Sequence, residues 1–399
     1  MVDVEPAPSP PGRSGRALPV VGIVGGGQLA RMTAQAAVSL DLHVRVLADE
    51  EQPPAAVAAD IEIGSPRSAE ALRSFAASCD VVTFDHELVD LGAVAALEAA
   101  GHAVRPGAQT IAMAVDKSIQ RRRLGELGFP VPSWATIATP GDLDAFGAQH
   151  GWPLVLKAAT GGYDGRGVWI VGDAAAGRDL LTASAPEGVH LLAEPKLAID
   201  HELAVVVARR PGGEEAVYEP VETIQADGIC REVRFPAQLS PRVHDEARSI
   251  AGGIAAAIDA VGILAVELFV CGEQVIVNEL ACRPHNSGHI TMDACVTSQF
   301  ENHLRAVLDL PLGSPAPLGP AAVMVNLLGG PGGTDPRDRL AQGLAVDRAK
   351  VHLYGKVARP GRKVGHVNVV ADDLAEARRL ALAAADALTG MDNDVEAPR

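Results

Sequence analysis

The 399-residue chain is short of aromatic residues and of positive charge, and each shortage removes a class of function. Aromatics make up 3% of the residues, too few for the stacking platforms that hold single-stranded nucleic acids. A formal net charge of −16 argues against general nucleic-acid binding, which needs a basic surface to neutralise phosphates. Any anionic substrate must therefore meet a local cationic pocket. Long apolar runs are missing too: none reaches the roughly 20 residues of a membrane-spanning helix. The longest candidate, around 251–270, is interrupted by Asp259 and Glu267 and reads as a helix (SIAGGIAAAIDAV) followed by a strand (ILAVELFV). Neither a nucleic acid nor a membrane is expected as a partner. The five cysteines, at 79, 230, 271, 282 and 295, form no CxxC pair and read as reduced thiols of a cytoplasmic protein. Cys282 reads as a small buried filler. The chain also lacks a P-loop GxxxxGK[ST] and the HRD and DFG of kinases.

A hydrophobic fraction of 48% with 21% charged residues describes an ordinary folded chain, and its length suits two or three domains. Residues 1–18 are rich in Pro, Ser and Gly and are expected to form a disordered tail. The apolar ALPVVGIV that follows is short and runs straight into GGGQLARM, so it reads as a first strand and not as a signal peptide. From 19 to 118, strands VVGIVG, HVRVLA and DVVTF alternate with Ala-rich amphipathic helices, the pattern of a doubly wound parallel sheet. Residues 119–310 carry a second strand-rich unit that reads as a nucleotide-clamping core. The Pro/Gly-rich DLPLGSPAPLGP, 309–320, reads as a linker into a small C-terminal domain, 311–399, ending in an Ala-rich helix from about Asp373.

Three segments carry chemistry. In NELACRPHNSGH, Asn278 and Glu279 stand beside the cationic and imidazole side chains of Arg283, His285 and His289. Glu267 and Glu279, each in its own strand-like run, could converge with Asn278 on a hard cation that prefers oxygen ligands; the plain alternatives are a structural ion pair for the two acids and a polar surface turn for the segment. In KAATGGYDGRG, four glycines (161, 162, 165 and 167) let the backbone approach phosphate oxygens, and Lys157 adds a point charge. A tight hairpin turn is the competing reading, and both can hold at once. Near the C-terminus, Lys356, Arg359, Arg362, Lys363 and His366 make a basic knot in an acidic chain, either a 5′-phosphate clamp or a solvated basic turn. A rival reading belongs to GGGQLA: Gly25, Gly27 and Ala30 satisfy GxGxxA after a strand, and Asp49 closes the next strand, as a nicotinamide- or flavin-binding unit requires.

GGGQLARM (25–32), KAATGGYDGRG (157–167), NEL with RPHNSGH, SQFENHLRAV (298–307) and RPGRKVGH (359–366), in this order, resemble the 5-(carboxyamino)imidazole ribonucleotide synthase family of ATP-grasp enzymes. The resemblance runs over nearly the whole chain, and GGYDGRG together with HNSGH is its most specific part. It implies an α/β ATP-grasp fold with an N-terminal doubly wound (Rossmann-like) parallel-sheet domain and a small C-terminal domain. It further implies a homodimer with ATP and magnesium as cofactors. The expected reaction is ATP- and bicarbonate-dependent carboxylation of the amine of 5-aminoimidazole ribonucleotide through carboxyphosphate.

By the same resemblance, Lys117 and Lys157 contact ATP phosphates under a lid of Gly162, Tyr163, Asp164, Gly165, Arg166 and Gly167. Glu194, with Lys196 and Leu197, lies on the hinge that receives adenine, and Glu202 binds the ribose. Asn278 assists Glu267 and Glu279, which hold magnesium. Gly26, Gln28, Leu29 and Glu87 shape the ribonucleotide pocket with Tyr163, Arg166, Asn286, Ser287, His289, Lys356, Arg362 and Lys363. Arg283 stabilises the carboxylate, His285 transfers a proton near neutral pH, and Lys356 joins them in the catalytic set. Without the resemblance, Glu194 and Glu202 read as solvated surface acids, and Glu87 as a solvated acid at a strand end. The chain departs from the family at Thr223 and Gln225, where asparagine and histidine are frequent, and at Lys117 and Arg121, where arginine and lysine are commoner. A related ATP-grasp ligase acting on formate or an amino acid remains an alternative.

Overall fold

The computed structural model describes residues 19–161, 167–184, 190–330 and 333–394. The first unit is a parallel sheet of β1 (Val20–Val24), β2 (His43–Ala48), β3 (Asp60–Ile63) and β4 (Val81–Phe84), in the order β3-β2-β1-β4. The edge strand β3 is the one the sequence pattern does not announce. Its DIEI carries no buried residue, so it has no apolar run to show.

A second, antiparallel sheet contains β5 (Ala135–Ile137), β6 (Leu154–Ala158), β7 (Val168–Val171) and β8 (Leu191–Pro195), ordered β5-β8-β6-β7. Leu154, Leu156, Leu191 and Ala193 of this sheet pack on Leu143 and Phe146 of the helix Pro140–His150.

The largest sheet is antiparallel and built from β9 (His201–Arg209), β10 (Glu215–Val217), β11 (Val221–Ala226), β12 (Ile229–Phe235), β13 (Gly262–Cys271) and β14 (Gln274–Ala281), with β15 (Ala321–Leu328), β16 (Lys350–Leu353) and β17 (Lys363–Ala371). Its order is β14-β13-β9-β11-β12-β15-β17-β16, and β10 pairs with β9. The C-terminal strands therefore continue the central sheet, because β15 pairs directly with β12. All eight residues of β15 are buried. Val323, Val325 and Leu327 pack under the helix Leu374–Thr389, while Ala322 and Met324 meet Ile290 and Ala294 on the other face. Asp373 caps that helix by accepting from the Glu376 amide, at the start the sequence suggests. The helix expected from Ser249 begins earlier, at Pro241, with Ser240 as its cap; its polar first turns hide it from an apolar pattern.

The helix Gln299–Val307 joins the units. Leu304 and Val307 pack with Val21 and Ile23 of β1, and Phe300 packs with Leu29, Met32 and Tyr354. His303 accepts from the Ile263 amide at Nδ1 and bonds Thr83 Oγ1 through Nε2 at 2.8 Å, linking the central sheet to β4. Burial lowers its pKa to about 3, so the imidazole is neutral and Nε2–H is the donor to Thr83. Asn302 donates to Tyr218 Oη and to Gly313 O, fastening the 309–320 segment to the same helix.

Because Phe300 is fully buried where three units meet, Phe300→Ala is expected to cost about 3–5 kcal/mol through lost burial and the cavity left behind. The solvent-facing Val38→Ala should stay within about 0.5 kcal/mol. Urea unfolding followed by circular dichroism measures both; equal midpoints would mean that the junction carries no particular load.

Candidate active site

The centre of the site is a pair of facing carboxylates. In the β13–β14 ladder Glu267 lies opposite Glu279, and the next pair is Leu268 with Val277. The extra residue, Asn278, makes a β-bulge. Consecutive strand residues ordinarily point to opposite faces, but the bulge breaks this alternation and lets Asn278 and Glu279 serve one site. Asn278 Nδ2 donates to Glu267 Oε2 at 3.4 Å, and its Oδ1 accepts from Lys157 Nζ at 3.1 Å. Burial, then the carboxylates of Glu279 and Glu202, push the Glu267 pKa up to about 7. Such a pair lacks positive charge. Among the described residues no three His, Cys, Asp or Glu side chains converge as a metal cage. Two carboxylates nevertheless fit magnesium, which typically takes one or two protein carboxylates and fills its remaining positions with phosphate oxygens and water.

Cations surround the pair from separate elements. Asp116 caps the helix Lys117–Glu126 by accepting from Ser118 and Ile119 amides, which sets Lys117 at the helix start with Nζ 2.8 Å from Glu279 Oε1. Lys157, at the end of β6, lies 2.7 Å from Glu194 Oε2 on the neighbouring β8, and Arg121 Nε lies 2.6 Å from Glu194 Oε1. One buried carboxylate thus serves two buried cations. Burial pushes the Glu194 carboxyl up, but Lys157 and Arg121 outweigh it and hold the pKa below the usual range. Burial lowers the Lys157 pKa, against the pull of Glu194, with Arg121 adding repulsion. The trio keeps a net positive charge beside the Gly-rich hairpin, the sign a polyphosphate needs.

The strands flanking the Gly-rich segment pair antiparallel: Lys157 pairs with Val168, and the Ala158 amide donates to Gly167 O at 2.7 Å. Gly167 adopts φ +78°, the left-handed region glycine tolerates. The lid residues Gly162, Tyr163, Asp164, Gly165 and Arg166 lie outside the described residues. Lys196 and Leu197 follow β8, the first exposed and the second half-buried. Glu202 is half-buried at the start of β9, and burial raises its pKa.

On the other side, Arg283 Nε meets Glu87 Oε2 at 2.8 Å, so Glu87 is paired and not merely solvated. Lys356 Nζ bonds Gln28 Oε1, joining the basic knot to the first Gly-rich loop. Lys363, half-buried at the start of β17, acts electrostatically on Glu267 and His285. Arg359 and Arg362 are exposed, and Arg362 donates to Val357 O.

Several expectations need correction. Burial, with Arg283 and Lys363 nearby, lowers the His285 pKa to about 3, so in the ligand-free site the imidazole is neutral and not poised to titrate near neutral pH. Its Nδ1 accepts from the Ser287 amide, and its Nε2 lies 3.4 Å from Glu267 Oε1. His289 is fully buried and packs on Phe300, Tyr354 and His366, away from any substrate surface. His366 is equally buried, held at Nδ1 by Tyr354 Oη, because its place within β17 turns it inward from the clamp. Asn286 exchanges two hydrogen bonds with Asn326, and buried Ser287 faces His285. Glu194 is buried with its carboxylate on Arg121 and Lys157, so it is not a solvated acid. VETIQA is strand β11, and Thr223 is buried in it. Cys282 belongs to the core, as its small apolar character suggested.

Asp85 was missed. It accepts from the Gly27 and Ala30 amides at 2.8 Å each, and a Cβ at Gly27 would overlap its carboxylate. These amides are the donors a dinucleotide pyrophosphate would need, and a carboxylate already holds them, which argues against the nicotinamide or flavin reading. The available signal was a second acid in VTFDHE, two residues before Glu87.

Comparison with known proteins agrees with this geometry. Residues 18–115 match the ribonucleotide synthetase preATP-grasp domain, 122–300 the ATP-grasp domain, and 322–380 the phosphoribosylaminoimidazole carboxylase C-terminal domain. The chain is an ATP-grasp protein. It is 46% identical over 364 residues to N5-carboxyaminoimidazole ribonucleotide synthase of Mycobacterium tuberculosis, covering 90% of this chain and 85% of that protein. The Corynebacterium ammoniagenes enzyme of that name is 41% identical, over 93% and 92% of the two chains. The crystal structure of the Aspergillus clavatus synthase with ADP and 5-aminoimidazole ribonucleotide superposes with a TM-score of 0.86 at 35% identity, covering 94% and 99%. The chain belongs to the N5-carboxyaminoimidazole ribonucleotide synthase family: it is an ATP-dependent ligase that carboxylates 5-aminoimidazole ribonucleotide in purine biosynthesis.

Glu194→Gln would leave Arg121 and Lys157 buried without their carboxylate, and should cost about 3–5 kcal/mol. Urea unfolding of the substrate-free protein measures this, and an unchanged midpoint would show that the cations are satisfied by other groups.

Proposed function

We propose that bicarbonate is activated by ATP at the Glu267–Glu279 end of the site and the carbon is passed to the amine at the Arg283–Glu87 end. The observation that carries the proposal is their placement on one short path: Glu267 faces His285, and Arg283 precedes His285 by two residues. A bicarbonate oxygen attacks the γ-phosphorus, releasing ADP and forming carboxyphosphate. Lys157 and Lys117 offset negative charge developing on the phosphates. Glu267 and Glu279, positioned by Asn278 and His285, would hold magnesium, which supplies further positive charge to the nucleotide phosphates when bound. Arg283, oriented by Glu87, stabilises the carboxylate while the amine nitrogen forms its bond to carbon and phosphate departs, taking up the proton the amine loses.

Lys356, Lys363 and Gln28 hold the ribonucleotide, with Arg359 and Arg362 available to its 5′-phosphate. The labile intermediate must be kept from water, a task the family resemblance gives to residues 162–166. Lys196, Leu197 and Glu202 take the adenosine half. A homodimer in the cytoplasm completes the proposal; the five free thiols suit a reducing compartment, and light scattering measures the assembly. Among the described residues no helix is long and apolar enough to cross a membrane.

The decisive measurement is phosphate release from magnesium-ATP in bicarbonate buffer, with and without 5-aminoimidazole ribonucleotide. Strong stimulation with a labile carboxylated product supports the reading; ATP binding without stimulation overturns it. Arg283→Ala is expected to lower ribonucleotide-dependent turnover by about 10²–10³-fold, the scale for losing one fixed donor at developing charge, while magnesium-ATP still binds. Normal turnover in this variant would remove Arg283 from the reaction.

A further inference from the structure

We infer that Gln299, the first residue of the helix Gln299–Val307, is a positioning residue that sets the loop between Arg283 and His289. Gln299 is fully buried, and its carboxamide engages the loop at three places. Oε1 accepts from the His285 amide at 2.9 Å, Nε2 donates to His285 O at 2.7 Å, and Nε2 reaches His289 Nδ1 at 3.2 Å. Holding both the N–H and the C=O of one residue fixes the plane of the backbone there, as a strand partner would. Among the described residues no strand pairs with the loop at His285, so one side chain supplies what a ladder would otherwise provide.

The grip is built from both sides. Ser298 caps the helix by accepting from the Glu301 amide, which places Gln299 in its first turn. Thr291 Oγ1 accepts from the Gln299 amide at 2.9 Å and donates to Gly288 O at 2.6 Å. Gly288 is required by the same contact: the nearest atoms a Cβ would meet are Oε1, Cδ and Nε2 of Gln299, all within overlap distance. Glycine here makes room for the clamping amide, since Gly288 does not adopt positive φ. The helix is itself anchored to the first sheet through His303 and Thr83. Gln299 therefore ties the loop that carries Arg283 and His285 to the unit that carries Glu87, and holds the Arg283–Glu87 pair at its working separation.

Lys117, Lys157 and Glu279 lie on other elements, so Gln299 should matter more to transfer of the carbon than to nucleotide binding. A misplacement of about 1 Å can cost about 10²-fold in rate. In Gln299→Met, which keeps volume and removes the hydrogen bonds, ribonucleotide-dependent turnover should fall about 10²-fold. The KM for ATP should stay within about threefold, a ratio worth less than 1 kcal/mol. The product formed per phosphate released should drop, because the activated carbon escapes.

Gly288→Ala leaves Gln299 present but displaced, and should uncouple in the same way; it carries the test if the methionine variant does not fold. In a Gln299→Ala background, where the overlap is gone, Gly288→Ala should add little. A coupling ratio equal to wild type in either single variant, or a full additive penalty in the double variant, would overturn the role. The inference rests on the carboxylation reading; wild-type enzyme assayed alongside separates the two, since absence of ribonucleotide-dependent turnover there would sink that reading itself.

Discussion

Like charges placed directly opposite in a β-ladder repel, and the Glu267–Glu279 pair puts two carboxylates in that position inside a partly buried site. The surrounding arrangement offsets this one unfavourable contact. Lys117 reaches Glu279 from a capped helix start, Lys157 connects through Asn278, His285 turns an N–H toward Glu267, and Lys363 approaches from the C-terminal strands. Each group comes from a different element of the chain. The protein cannot place its charges without assembling its units, and this ties the site to the fold. Even so, burial first, and then Glu279 and Glu202, keep the Glu267 pKa raised to about 7, and a cation with nucleotide phosphates has a natural place.

The acidic balance of the chain sharpens the same point. With a net charge of −16, nonspecific attraction of anions is unfavourable, and binding depends on a few cations kept from full neutralisation. The Arg121–Glu194–Lys157 trio achieves this by giving two buried cations one carboxylate. It also gives meaning to the exchange of lysine and arginine at 117 and 121. The planar guanidinium sits where a buried carboxylate must be held alongside the Gln120 carboxamide, and the slender ammonium extends to Glu279.

The first unit shows how one motif can serve a different purpose. GGGQLA has the glycine spacing of a dinucleotide site, yet Asp85 occupies the amides at its helix start. A fixed negative charge there repels a pyrophosphate and instead stiffens the loop that presents Gln28 to Lys356. Spacing alone could not distinguish these outcomes, because the deciding carboxylate comes from the end of another strand.

Much of this was legible before folding. Local periodicity announced the parallel strands, the hairpin around the Gly-rich loop and the final helix, since alternation and capping are short-range properties; β3 stayed hidden because it buries nothing. The residue types of NELACRPHNSGH pointed to metal and anion chemistry, and the order of motifs pointed to the family. Which side chains face the chemistry was decided only in three dimensions. Asn278 and Glu279 share a face because of a bulge that no pattern marks, whereas His289 and His366, chemically apt, turn into the core. Burial and neighbouring cations depress the His285 pKa to about 3, a shift its place in the sequence does not announce. Sequence specifies which functional groups are available. Their direction, solvation and charge neighbours arise from contacts between residues far apart in the chain, and those contacts exist only once the sheets have packed.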